Sequence, residues 1–389
     1  MTELQQLINE LCPNGVKFAA LEECCKILDN KRKPVTKAAR QAGEYPYYGA
    51  NGIQDYVSDY IFDGIIVLVG EDGSVVTPSG NPVVNWATGK IWVNNHAHII
   101  EEKDGVLLRY LYHYLQTVNV SALIHGNIPK LTGGDFRAIK VPVPPLPVQS
   151  EIVRILDNFT ELTAELTAEL TARKQQYAHY RDTLLKLDNN VPSYTLKDIC
   201  LSIADGDHMP PPKADSGVPF ITISNITETR QIDFSNVMYV PREYYDKLAD
   251  KRKAKRDDIL YTVVGSFGIP VHISSKTEFV FQRYIAILRP NQQMIVPRYM
   301  YHIMQSTEFY KQADKAAKGA AQRTIGLSSL GNMTIPLPSI EEQKRIVAIL
   351  DRFDTLCNDI SAGLPAEIEA RQKQYEYYRD KVLTFDPAK

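Results

Sequence analysis

From Gln149 to Leu187 the apolar positions fall at alternating steps of four and three: Ile152, Leu156, Phe159, Leu166, Leu170, Tyr177, Tyr180 and Leu184, with Thr163 and Arg173 as weak points. That spacing is a coiled-coil seam, and no proline or glycine interrupts the segment, so it predicts one long helix. A second seam runs through Ile346, Leu350, Phe353, Cys357, Ile360, Leu364, Ile368, Arg371, Tyr375, Tyr378 and Val382. Here 360, 364 and 368 take two successive steps of four, a stutter, and Gly363 and Pro365 fall on it, predicting a kink or short break.

The two seams are copies of one plan. IVRILDNF at 152–159 returns as IVAILDRF at 346–353, an offset of 346 − 152 = 194 residues, about half of 389. Gln149 answers Gln343, VPVPPLP (141–147) answers IPLPSIE (335–341), and RYLYHYLQ (109–116) answers RYMYHIMQ (298–305). RKQQYAHYRDTLL (173–185) matches RQKQYEYYRDKVL (371–383) at an offset of 198, so about one helical turn separates the copies. The order is module, helix, module, helix, and such a duplication suits a bipartite, roughly two-fold target. An ordinary helical hairpin would explain the seam but not the repeat.

The fold class expected is α+β: two mixed α/β modules separated by two long antiparallel coiled-coil helices, with pseudo-two-fold, circular organisation. The divisions are an N-terminal segment at 1–17, packed beside the C-terminal helical region, then modules and helices at 18–145, 146–190, 191–337 and 338–389. Within the modules, IIVLVG (65–70) and ILYTVVG (259–265) read as buried strands, and VNNHAHII (93–100) and VFQRYIAIL (280–288) as later strands. Tyr110, Tyr112, Tyr299 and Tyr301 on the following helices are expected in the core.

No apolar stretch reaches the ~18 residues of a membrane span, and the N-terminus lacks a signal pattern, so a cytoplasmic protein without membrane association is expected. The five cysteines lack CxxC spacing, which argues for packed thiols over disulfides or zinc. The net charge of −2 gives no overall basic signature. Positive charge instead gathers in KRKPVTKAAR (31–40), KLADKRKAKR (247–256) and KQADKAAKGAAQR (311–323), all within the modules. That restriction favours phosphate contacts over a generally solvated surface.

Loops are where bases would be read, because Arg, Lys, Asn and Gln pair with base edges. In the first module the candidates are Lys31, Arg32, Lys33, Arg40, Tyr47, Tyr48, Asn51, Asn127 and Lys130, and GEDGS (70–74) supplies further polar loop groups. In the second they are Asp207, His208, Ser266, Arg283, Lys318, Gln322 and Arg323. Thirty-nine residues of helix, Gln149 to Leu187, measure about 58 Å, or roughly 17 base pairs, the scale of a spacer between half-sites.

Catalytic signals fail. ATGKI at 87–91 lacks the first glycine and the hydroxyl of a phosphate loop, there is no HExxH, and His96 with His98 find no convincing third metal ligand. MPPPK at 209–213 lacks both ends of the adenine-methyltransferase tetrad. No catalytic residue and no metal site is therefore expected.

The paired proline-rich segments leading into IVxILDxF, the related helices RKQQYAHYRDTLL and RQKQYEYYRDKVL and the two divergent modules resemble the DNA-specificity subunit of type I restriction-modification systems over essentially the whole chain. TAELTAEL at 163–170 is similar to the tetrad repeat of one subgroup. The resemblance implies that each module recognises half of an asymmetric bipartite site in double-stranded DNA. It implies helices that dock two methyltransferase subunits, to which Ile152, Ile155, Leu156, Phe159, Ile346, Ile349, Leu350 and Phe353 are assigned. It also implies restriction-translocase subunits, with S-adenosylmethionine, ATP and Mg on those partners and no cofactor on this chain. A competing reading is a self-contained nuclease or methyltransferase with unfamiliar motifs.

Overall fold

The strand Phe62–Gly70 is apolar on both faces because it separates two cores. Successive side chains alternate across a strand. Val67 and Val69 accordingly join Ile100, Tyr110 and Leu111 on one side, while Ile66 and Leu68 join Ile91 and Ile99 on the other. Strand Ile259–Thr262 does the same: Ile259 and Tyr261 pack with Leu288 and Tyr299, and Leu260 packs with Val271 and Ile287. The computed structural model describes residues 2–188, 190–206, 211–320, 322–359 and 361–388, and builds both modules on this plan.

The chain divides into two compact units, Met1–Ala164 with Ala370–Lys389, and Glu165–Glu369. Each unit therefore owns one module and a share of both helical segments. In the first, six strands lie in the order Lys26–Ile27, Ala97–Glu101, Phe62–Gly70, Val84–Val93, Ala42–Gly49, Gly52–Val57. The long central pair runs from Phe62↔Ile91 to Val69↔Val84. Helix Thr2–Leu11 buries Leu4 in the same core as Val382 and Leu383. Backbone bonds of 2.9 Å from Val16 N–H to the Asp386 carbonyl and from Ala388 N–H to the Val16 carbonyl tie the segments together.

The second unit splits its strands. Cys200–Asp205, Ile285–Pro290, Ile259–Thr262 and Pro270–His272 form one sheet, and Met238–Val240, Val218–Ile221 and Val280–Phe281 another. The two strands expected at 93–100 and 280–288 are thus interrupted. The first begins only at Ala97, and the second is two strands, Val280–Phe281 and Ile285–Pro290, with a turn at Arg283–Tyr284.

The first long helix spans Leu146–Leu184. The second is broken: one helix, Ile340–Asn358, starts at Ser339, whose hydroxyl accepts from Glu342 N–H, and another spans Leu364–Val382. Gly363 sits where a Cβ would fall 2.5 to 2.9 Å from the Thr355, Asp359 and Leu356 carbonyl oxygens, so only glycine fits the break. Pro365 follows within the first turn, where its missing N–H costs nothing.

Each module docks on its helices through the same joint. Gln149, fully buried, accepts from Leu107 N–H at 2.9 Å and donates to the Gly105 and Pro144 carbonyls at 3.0 and 2.8 Å. Gln343 accepts from Val296 N–H at 2.8 Å and donates to the Met294 and Pro338 carbonyls at 3.2 and 2.9 Å. His113 meets Asp157 at 2.7 Å and the Tyr375 hydroxyl at 3.1 Å, and Arg109 donates to the same Asp157 oxygen. His302 meets Asp351 at 2.6 Å and the Tyr177 hydroxyl at 2.9 Å, and Arg298 again joins.

Burial holds both histidines below the ordinary imidazole value despite the carboxylate beside each, so each ring is neutral, donating to aspartate and accepting from tyrosine. Burial opposes ionisation of Asp157 and Asp351, but the histidine and arginine bonds win and lower both. In each unit the tyrosine comes from the helical segment of the other repeat.

These contacts correct the assignment of the seam to partner binding. Ile152, Leu156, Ile346 and Leu350 are fully buried in the units' own cores. Phe159 stacks on Tyr378 at 5.4 Å, and Phe353 on Tyr177 and Tyr180 at 6.2 and 5.4 Å. An apolar period records that a face is covered, and here the chain covers it itself. Ile155 and Ile349 are half-buried.

Candidate nucleic-acid interface

In the first unit, an ion network gathers loops that are far apart in sequence. Asp29 accepts from Ile99 N–H at 2.8 Å and faces His98 Nδ1 at 2.7 Å, while His98 Nε2 lies 3.0 Å from the Leu131 carbonyl. Arg32 bonds Glu71, donates to the Ala97 carbonyl at 2.9 Å and lies 3.8 Å from Asp29; Lys130 reaches Glu71 at 3.1 Å. Burial alone would raise Glu71, yet the Arg32 hydrogen bond and the surrounding positive charge hold it below its usual value.

The network draws together the Asp29–Lys33, Glu71–Ser74, Asn95–His96 and His125–Lys130 loops. The turn at Ala50–Asn51 joins them, since a Cβ on Gly70 would fall 2.9 Å from the Ala50 carbonyl. Lys31, Lys33, Asn51, Asn127 and Lys130 are exposed on this rim. Oxygen and nitrogen atoms of Asp29, Glu71 and His98 lie within 4.8 Å of one another, a spacing a cation could use. Arg32 and Lys130 already supply the positive charge there.

Four of the expected base readers prove otherwise. Tyr47 and Tyr48 lie on strand Ala42–Gly49 with 1% and 9% exposure, and the Tyr47 hydroxyl is tied to Val35 N–H and carbonyl at 3.0 and 3.2 Å. Arg40 covers the Tyr47 ring at 4.1 Å and bonds Asp55 at 3.2 Å. Arg32 likewise holds loops in place instead of offering its charge outward. No sequence pattern signals these partners, because Glu71 is 39 residues from Arg32.

The second unit makes a comparable rim with other chemistry. Gly265 N–H donates to the Arg323 carbonyl, Lys318 and Thr324 exchange backbone bonds, and Val263 N–H donates to the Tyr284 carbonyl. Ser266, Arg283, Lys318 and Gln322 are exposed around it, and Arg323 is half-buried. A Cβ on Gly206 would meet the Phe281 carbonyl at 2.1 Å, which brings the 200–206 strand end to the same place. Asp207 and His208 lie outside the described residues. The 247–256 run is partly spent internally: Lys255 pairs with Asp250 at 2.8 Å, and Lys253 donates to the Asp246 carbonyl. Phe267, in the SFG turn at 266–268, stacks on this rim with Tyr310, a pair that no charge or amide in the sequence marks.

No described helix is long and apolar enough to cross a membrane. Burial pushes the Cys25 and Cys200 thiols up to about 12, so both are poor nucleophiles.

The family profile described as Type I restriction modification DNA specificity domain matches residues 13–173 and again 189–370. A Haemophilus influenzae chain named as a putative type I restriction enzyme specificity subunit is 38% identical over 386 residues, covering 95% of this chain and 96% of its own length. The EcoR124I/EcoR124II specificity subunit of Escherichia coli is 36% identical over 303 residues, 73% of this chain and 72% of that one. The type I S subunit of M. genitalium shares the fold, with a TM-score of 0.58 at 15% identity over 95% of this chain and 96% of that one. The two profile matches repeat the internal duplication, each spanning one loop-bearing module, and with these relatives they establish that the chain belongs to the type I restriction-modification specificity subunits, proteins of DNA sequence specificity.

Proposed function

We propose that this subunit reads a bipartite, asymmetric DNA site, the two loop rims each reading one half, and assembles methyltransferase and restriction subunits on it. The observation that carries the reading is the pairing of matched joints with unmatched rims: Gln149, His113, Asp157 and Arg109 answer Gln343, His302, Asp351 and Arg298, while the loops above them differ. Equivalent mounting with different chemistry suits two different half-sites. The same joints support a pseudo-two-fold arrangement in which the recognition modules, 18–145 and 191–337, are fixed to a shared helical scaffold.

The chain itself is non-catalytic in this proposal. Two methyltransferase subunits carry S-adenosylmethionine, and the restriction subunits carry ATP and Mg. Half-buried Ile155 and Ile349 remain the docking candidates of the repeated octets. The likeness of TAELTAEL at 163–170 to the tetrad repeat supports membership of that subgroup, with the tetrads acting as the spacer.

One mapping experiment tests both parts, by sequencing methylated adenines in a host carrying the subunit with its methyltransferase. Exchanging 18–145 for the equivalent module of a relative is expected to change one half-site only. Inserting one further TAEL tetrad, about 6 Å and a net turn of ~40°, is expected to keep both half-sites and lengthen the spacer by about one base pair. Changes in both half-sites after the exchange, or an unchanged spacer after the insertion, would count against the proposal.

A further inference from the structure

The second rim carries a half-exposed aromatic stack, whereas the stack at the first rim's network, His98 on Phe136 at 4.2 Å, is buried. Phe267 sits in a turn between Gly265 and Gly268, whose φ angles are 69° and 96°. The turn is pinned from below: Gly268 N–H donates to the Thr262 carbonyl at 3.0 Å, Ile269 N–H to Thr262 Oγ1 at 3.0 Å, and that hydroxyl to the Ser266 carbonyl at 2.8 Å. Tyr310, from helix Thr307–Ala316, lies over Phe267 with ring centroids 6.0 Å apart and planes 10° apart. Gly268 admits it, since a Cβ there would fall 3.1 Å from the Tyr310 ring.

Arg323 covers Phe267 at 5.1 Å and is held by Asp314 at 2.7 Å. Tyr310 nevertheless remains 48% exposed, with exposed Lys315 and Lys318 close by in sequence on the same helix end and hairpin. In the first unit the corresponding turn, Glu71–Ser74, holds no aromatic residue, and its Asp72 is bonded to His96.

A ring half exposed to water and braced by a second ring, which a guanidinium covers in turn, has the form of a stacking platform for a nucleobase. The polar neighbours Ser266, Gln322 and Arg323 fit a nucleic acid better than an apolar protein surface. We propose that Tyr310, braced by Phe267, stacks on a base that leaves the duplex stack in the half-site read by the second unit. The inference rests on the two-rim reading above and makes the two halves unequal in mechanism: one opens its DNA against an aromatic ring and the other does not.

The test uses the full chain assembled with its methyltransferase and duplexes of the mapped methylated sequence, with 2-aminopurine placed in turn at each position of both half-sites. Wild type is expected to brighten at a position of the second half-site through a signal that depends on Tyr310. Tyr310→Ala should abolish that signal and weaken binding by about 5- to 150-fold, the range for loss of one stacked base. Tyr310→Trp should retain both signal and binding. Tyr310→Leu keeps an apolar cover on Phe267 without the aromatic face, and should match the alanine variant at an unchanged unfolding midpoint. Wild-type affinity and an unchanged fluorescence profile in the alanine and leucine variants would overturn the platform alone. Module exchange that leaves the second half-site bases unconnected to residues 191–337 would overturn the two-rim reading beneath it.

Discussion

The joints and the rims of this molecule stand in contrast. At the joints, residues 189 to 198 positions apart repeat the same contacts: Tyr375 on His113 and Tyr177 on His302, Tyr110 donating to the Pro142 carbonyl and Tyr299 to the Pro336 carbonyl, both at 2.9 Å. At the rims, one unit has a buried ion network where the other has a half-exposed aromatic stack. Repeated residues hold the modules in place, and the unrepeated ones are those the proposed function assigns to reading. A duplicated protein that kept its rims alike would be suited to a symmetric target.

The sharpest test of that division is the glutamine pair. Gln149→Leu removes three backbone partners, of which the Pro144 carbonyl is buried and the Leu107 N–H and Gly105 carbonyl lie nearer the surface, so a loss of roughly 2 kcal/mol is expected. Gln343→Leu should cost the same within about 1 kcal/mol, since its bonds are the same three. Urea unfolding of both variants checks this, and a large inequality would break the equivalence of the joints.

Arg32 belongs to the other side of the comparison and should still behave as a structural residue. Its side chain is 15% exposed and shared between Glu71 and Asp29. Arg32→Met should therefore destabilise the first unit by on the order of 2 kcal/mol, by leaving the half-exposed Lys130 as the lysine or arginine still paired with the buried Glu71. If the variant instead unfolds like wild type and loses only DNA affinity, Arg32 is a phosphate contact.

Acid should loosen both joints alike. His113 and His302 titrate below 6.5 in the folded state because they are buried, so the unfolded chain takes up their protons first. Their stabilisation is complete above about pH 6.5 and is lost as pH falls toward the depressed folded values. His302→Gln should flatten the pH dependence of unfolding of the second unit between about pH 7 and pH 5 and leave the first unit's slope intact. A slope unchanged in both units would remove the histidine from the joint's energetics. The smallest effect belongs to the exposed rim: Lys31→Ala and Lys33→Ala should each lower the salt slope of DNA binding by about 0.9 at unchanged stability.

Much of the architecture was legible because periodicity survives in a one-dimensional record. The seams, the break at Gly363 and the strands at Phe62–Gly70 and Ile259–Thr262 all follow from spacing or from apolar runs. What periodicity omits is the identity of the neighbour. Spacing alone does not separate an internal role for Ile152 and Ile346 from a partner-facing one, and both proved internal. Arg32 read as a free cation because Glu71 and Ala97 are distant in sequence, and Tyr47 read as a loop group because the glycines after it mark a hairpin whose strand already contains it.

The first unit is assembled from segments at 1–164 and 370–389, whereas the second is the uninterrupted stretch between them. On a ribosome, which delivers residues in order, the second unit has all its parts while the first still lacks Tyr375, Val382 and Leu383. The earlier-made module must wait with part of its apolar core uncovered until those residues emerge. Its exposure to aggregation and to chaperones during synthesis is accordingly longer than that of its twin, a burden set by connectivity and not by stability.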